Sequence, residues 1–88
     1  MLYMSVFTYK PENREAVIKK RLEIGLSAPG VKVIGQWSYV GMGQVWTLSD
    51  ADDSLAAYKS MAPYGALGKF EIFPVIETDQ LMKALAAK

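Results

Sequence analysis

The sequence contains neither cysteine nor histidine. Without cysteine there are no disulfides, thiolate nucleophiles, iron–sulfur clusters or thiolate zinc sites. Without histidine, Ser-His-Asp and Cys-His catalysis are lost, along with almost every catalytic zinc or haem site. Carboxylates, Lys, Arg, Tyr, Ser and Thr remain to carry any chemistry. Excess charge is missing too: ten Lys and Arg face nine Asp and Glu, for a net charge of +1, so no large field draws the chain to nucleic acid or anionic lipid. No apolar run approaches the roughly 20 residues a membrane-spanning helix needs. The opening Met1–Phe7 run is apolar, yet it has no cationic start or small-residue cleavage site and stops at Lys10. It reads as a strand and the protein as cytoplasmic; no metal, cofactor, nucleic-acid or membrane partner is expected.

What is present is enough for one core. Eighty-eight residues, 51% hydrophobic and 22% charged, make a single foldable domain spanning 1–88. Leu2–Tyr9 reads as a strand ending at Lys10-Pro11. Pro11 and Glu12 then open a helix in which Ile18, Leu22, Gly25 and Leu26 recur at helical spacing, expected to run to about Ser27. Glu15, Lys19 and Glu23 are spaced four apart, and Lys19-Lys20-Arg21 reads as the solvated side.

Ala28-Pro29-Gly30 separates this helix from a second strand, Val31–Val40, with Val31, Val33, Gly35, Trp37 and Tyr39 expected on one face. Gly41-Met42-Gly43 joins it to a third strand, Gln44–Ser49, and is a hairpin turn, since no helix follows as a phosphate loop requires. Asp50, Asp52 and Asp53 precede Leu55, Tyr58, Met61 and Ala62 at helical spacing and read as helix-capping acids. Pro63, Gly65 and Gly68 break this second helix. Lys69–Glu77 is the fourth strand, marked by Pro74 as an edge strand or a bulge. Thr78 is expected to cap a short last helix with Leu81, Met82 and Leu85 on one side.

Two strand-helix-strand units joined by a hairpin predict an α+β fold: a ferredoxin-like β-α-β-β-α-β four-stranded antiparallel sheet with both long helices on one face and a short C-terminal helix. Under the helices the alternation places Met4, Val6, Val33, Trp37, Trp46, Leu48, Phe70, Ile72 and Ile76. It leaves Tyr3, Ser5, Phe7, Tyr9, Ile34, Gln36, Ser38, Val45, Thr47, Glu71, Phe73 and Val75 on the bare face. That face is too apolar for water and too polar for a dry core, which predicts a homodimer with two sheets facing across a wet interior.

Three blocks, Tyr9–Arg14, Gly30–Trp37 and Phe70–Glu77, resemble those of the short prokaryotic proteins grouped as domain of unknown function 3303. The resemblance spans nearly the whole chain. It implies a fold related to the dimeric α/β barrels, a group that includes cofactor-free monooxygenases, muconolactone isomerases and haem-degrading enzymes. It carries no activity with it, and the helix histidine that ligates iron in the haem-degrading members has no counterpart here.

The candidate ligand-binding residues are Tyr9, Trp37, Tyr39, Trp46, Tyr58 and Tyr64, flat apolar bodies with polar tips suited to small planar molecules, together with Arg14 at the first strand-to-helix turn. Glu71 is the candidate general base, expected on the bare face among Phe7, Phe73 and Tyr9, where desolvation would raise its pKa; Asp50 is a second. Three functions compete. One is a non-catalytic domain binding a small aromatic or carbonyl metabolite or a protein partner. Another is a cofactor-free monooxygenase- or isomerase-like enzyme acting on a similar compound. The third is a purely structural subunit or a nucleic-acid binder.

Overall fold

The computed structural model describes residues 1–26 and 28–87. Strand β1 (Leu2–Tyr9) leads through a short 3-10 turn to α1 (Arg14–Ile24). Then come β2 (Val31–Ser38), β3 (Gln44–Ala51), α2 (Ser54–Met61), β4 (Gly68–Pro74) and α3 (Thr78–Ala86). All pairings are antiparallel and the sheet order is β2-β3-β1-β4. This is the expected α+β class and element order. Pro74 sits at the end of an edge strand, where its missing N–H costs no ladder bond. The strand therefore stops there, short of the expected Glu77. The expected end of α1 at Ser27 lies outside the described residues; the helix itself closes at Ile24.

Local chemistry explains the junctions. Asp53 caps α2, its Oδ1 accepting from the Ala56 N–H at 2.8 Å, which satisfies one of the unpaired donors at a helix start. Asn13 Nδ2 donates to the Leu67 carbonyl at 2.9 Å, tying the β1–α1 turn to the α2–β4 connection. At the head of α3, Glu77 and not Thr78 takes the capping position, and it makes no side-chain cap bond.

The core is small and falls into two clusters under the helices. Tyr3, Ala51 and Ala57 form one, with the Tyr3 hydroxyl 3.0 Å from Ser54 Oγ. Phe7, Tyr9 and Val17 form the other, joined by Val45, Met61, Tyr64 and Phe70. Every described residue of α3 is exposed, Leu81, Met82 and Leu85 among them. The Cα radius of gyration, 14.6 Å over extents of 51 × 29 × 17 Å, exceeds the about 12 Å of a compact chain of this length, as a projecting helix requires. Among the described residues no helix is long and apolar enough to cross a membrane.

The expected faces of β1 and β3 are exchanged, and those of β2 are exchanged only beyond Val33. Tyr3, Ser5, Phe7 and Tyr9 are buried under the helices, and their partners Ser49, Thr47 and Val45 lie with them. Leu2, Met4, Val6, Trp46 and Leu48 take the open face. In β2 no strict period of two holds, because the register with β3 shifts by one residue between Val33 and Gly35. Val31 and Val33 face the helices before this bulge and Gln36 and Ser38 after it, while Gly35 and Trp37 face outward. β4 is divided differently: Phe70 and Ile72 lie under the helices and Glu71 and Phe73 outside, as expected, but the outer neighbours are Val6 and Met4, not Phe7 and Tyr9.

Candidate functional site

A cleft of about 240 Å³ lies between the inner face of the sheet and the two helices above it. It exists because α1 stands off the sheet. Val17 is the only buried residue of that helix, and Ile18 and Leu22 are 46% and 78% exposed. The Ile18–Leu22–Leu26 stripe therefore lines the rim of the cleft and does not pack as core. The inward row of α1 is Val17, Arg21 and Ile24, spaced i, i+4, i+7.

Hydroxyls from the two central strands make the floor. Ser5, Thr47 and Ser49 are at most 8% exposed and adjoin across the β1–β3 ladder. A short relay leads from this floor to the mouth: Gln36 Nε2 donates to Thr47 Oγ1 at 3.0 Å, and Arg21 Nε donates to Gln36 Oε1 at 3.0 Å. Aromatic rings form one wall. The Phe7 ring stacks on Tyr9 with centroids 5.7 Å apart and meets Tyr64 at 5.6 Å. Burial pushes the Tyr64 phenol above its ordinary pKa, and the Arg21 charge pulls it part of the way back, so the hydroxyl stays protonated at neutral pH and can donate. Met42, at the hairpin tip, reaches the cleft from a left-handed backbone conformation (φ 68°), which a non-glycine residue adopts at some cost.

Of the residues marked in the sequence, the structure brings only Tyr9 and Tyr64 to this cleft. Tyr39 lies exposed beside the hairpin turn, its ring against Gly41. Tyr58 is 55% exposed on α2 and leans on Phe70 at 6.1 Å. Arg14 is exposed at the start of α1, outside the cleft. Glu71 is exposed on the opposite face of the sheet, across from Val6, and Asp50 accepts from the Met1 amino group at 2.7 Å. Arg21, read in the sequence as solvated, is the residue most missed. Its signal was the Val17–Arg21–Ile24 spacing, which puts one cation into an otherwise apolar row.

Trp37 and Trp46 are paired neighbours on the open face, 57% and 42% exposed. The Trp37 indole lies across Gly35, where an added Cβ would come within 2.6 Å of the ring; the missing side chain lets it lie flat. Met4, Val6, Leu48, Ile34 and Phe73 extend the patch. Charged residues sit towards its margins: Lys32 opposite Asp50 on one side, Lys69 and Glu71 on the edge strand.

The sequence profile of a family described as Domain of unknown function (DUF3303) matches residues 1–88, the whole chain. The chain belongs to this family. No curated protein matches it. Among solved structures, Rv0793 from Mycobacterium tuberculosis superposes with a TM-score of 0.55 over 86% of this chain and 94% of its own, at 12% identity. At that identity the likeness concerns the fold alone. This DUF3303 chain and Rv0793 thus share an architecture whose use must be argued from the residues in the cleft.

Proposed function

We propose that this DUF3303 chain is a ferredoxin-like domain that pairs with a second copy through its open sheet face, as a dimeric α/β barrel, and binds a small aromatic or carbonyl metabolite in the cleft without transforming it. The cleft is the observation that carries the reading: a chain with so small a core keeps about 240 Å³ open beneath its helices, between aromatic walls and a hydroxyl floor. Concave, mostly apolar sites with a few convergent polar groups are the usual form of small-molecule sites. Its volume falls below the roughly 300–1,000 Å³ of drug-sized pockets, which favours a compact ligand. Catalysis is the less supported alternative. Among the described residues no carboxylate lines the cleft, Glu71 stands on the other face, and the raised pKa of Tyr64 keeps its phenol protonated.

Pairing is supported by the character of the open face. A contiguous apolar patch rimmed by polar residues marks an interaction site, and an apolar centre with charge at its margins is the anatomy of an interface. Four strands about 4.8 Å apart and about 25 Å long present a footprint of roughly 480 Å². A standard interface buries about 800 Å² per partner, so the sheet alone falls short. The projecting α3, with Leu81, Met82 and Leu85 unpacked, is the element available to supply the remainder.

A thermal-shift screen of small aromatic acids and quinones, followed by amide chemical shifts for any hit, tests the binding reading. Hits that move Ser5, Tyr9, Thr47 and Tyr64 support it. Silence across the screen, or shifts confined to the open face, would sink it.

A further inference from the structure

Among the described residues the cleft contains one cation and no acid: Arg21 is their only charged member lining it, and no carboxylate among them lies within ion-pairing distance of it. Its Nε donates to the neutral Gln36, which orients the guanidinium and leaves the two terminal nitrogens without a protein acceptor among the described residues. A guanidinium in a partly desolvated site gains most from a carboxylate, whose two oxygens match a pair of parallel N–H donors. The Tyr64 phenol, close enough to feel the Arg21 charge, adds a neutral donor on the same side. The stacked Phe7 and Tyr9 rings line the same cleft and supply it with apolar aromatic surface.

Resting on the cleft-binding reading, we infer that Arg21 is the anion anchor of this site and that the ligand it takes is a planar aromatic monocarboxylate. One cation matches one negative charge, so dianions such as phosphate monoesters leave their second charge without a protein partner. The ring enters against Phe7 and Tyr9, and the carboxylate remains at the mouth on Arg21. Gln36 and Thr47 act as positioning residues: they hold the guanidinium in place and do not reach the ligand's charge themselves.

The test compares 2-naphthoate with 2-naphthamide, a neutral molecule of nearly the same shape, by titration calorimetry on the wild-type chain and on Arg21→Gln. The wild-type protein is expected to bind naphthoate at least about tenfold tighter, as a charge-assisted pair implies, with the margin shrinking as salt is raised. Arg21→Gln is expected to remove that margin while leaving naphthamide binding within about twofold. Equal binding of both probes by the wild type would overturn the anion assignment and leave the cleft reading standing. A preference that persists in Arg21→Gln would overturn the role of Arg21. Binding of neither probe would overturn the inference and the cleft reading together. The wild-type comparison needs no substitution, so a folding defect in the variant leaves a decisive arm.

Discussion

Both faces of this sheet carry apolar side chains, but the helices cover only one of them. Beneath the helices the buried Tyr3, Phe7 and Tyr9 stand beside Ser5, Thr47 and Ser49, three hydroxyls at most 8% exposed, and Thr47 is joined through Gln36 to Arg21. On the uncovered face lie Leu2, Met4, Val6, Trp37, Trp46, Leu48 and Phe73. Apolar burial is the main favourable term in folding, so the covered face is the ordinary one and the bare apolar face is the exception. The difference teaches that covering and hydrophobicity are separate properties here. In the proposed reading a second copy covers the outer face, while the inner face keeps polar groups beside a cleft.

The largest expected effect comes from attacking the outer face alone. Trp46→Glu puts a charge at the centre of the apolar patch while touching nothing under the helices. It should weaken self-association by at least about 30-fold, the scale of a hot-spot aromatic, as read by sedimentation equilibrium; an unchanged dimer would break the comparison. The same placement revises the expectation that both tryptophans are core residues of the isolated chain.

Next in size is a change confined to the inner side. An added Cβ at Gly68 would collide with the Thr8 carbonyl and come within 2.9 Å of the Phe7 ring, so β4 can approach β1 only without a side chain there. Gly68→Ala should cost about 1–3 kcal/mol in urea unfolding, as overpacking does. It should leave the association constant of the folded protein nearly unaltered; a loss of pairing without a loss of stability would assign β4 to the wrong side of the comparison.

The smallest effect concerns Tyr64. Its folded-state pKa is raised, chiefly by desolvation, so its contribution is fully present below the ordinary tyrosine range and is lost as pH climbs through the folded value. Above about pH 10 the unfolded chain ionises first and stability falls. Urea midpoints of the wild type should therefore decline more steeply than those of Tyr64→Phe as pH rises past that point. Parallel curves would show that the phenol is not desolvated in the cleft.

Much of the fold was legible in the sequence, because strand and helix signals act locally. Pro74 marked an edge strand, Gly41-Met42-Gly43 a hairpin, and Asp53 a helix cap, each through the chemistry of a few adjacent residues. The faces were not legible, for two reasons. Both sides of β1 are apolar, so alternation cannot say which side the helices cover. The bulge after Val33 shifts the period of β2 midway, and one extra residue carries Trp37 to the opposite face. The site was hidden for a related reason: Tyr9 and Tyr64 announced themselves as aromatics, whereas Arg21 stood in a basic run that resembled an ordinary solvated surface. Its role depends on the rotation of α1 about its own axis, which the weakly amphipathic helix does not fix by composition.

The central claim, that the apolar outer face is covered by a second copy, is tested most directly by multi-angle light scattering of the wild-type chain at micromolar concentration. The account predicts a particle of twice the 9.7 kDa chain mass. A particle of 9.7 kDa that persists as concentration is raised would contradict it.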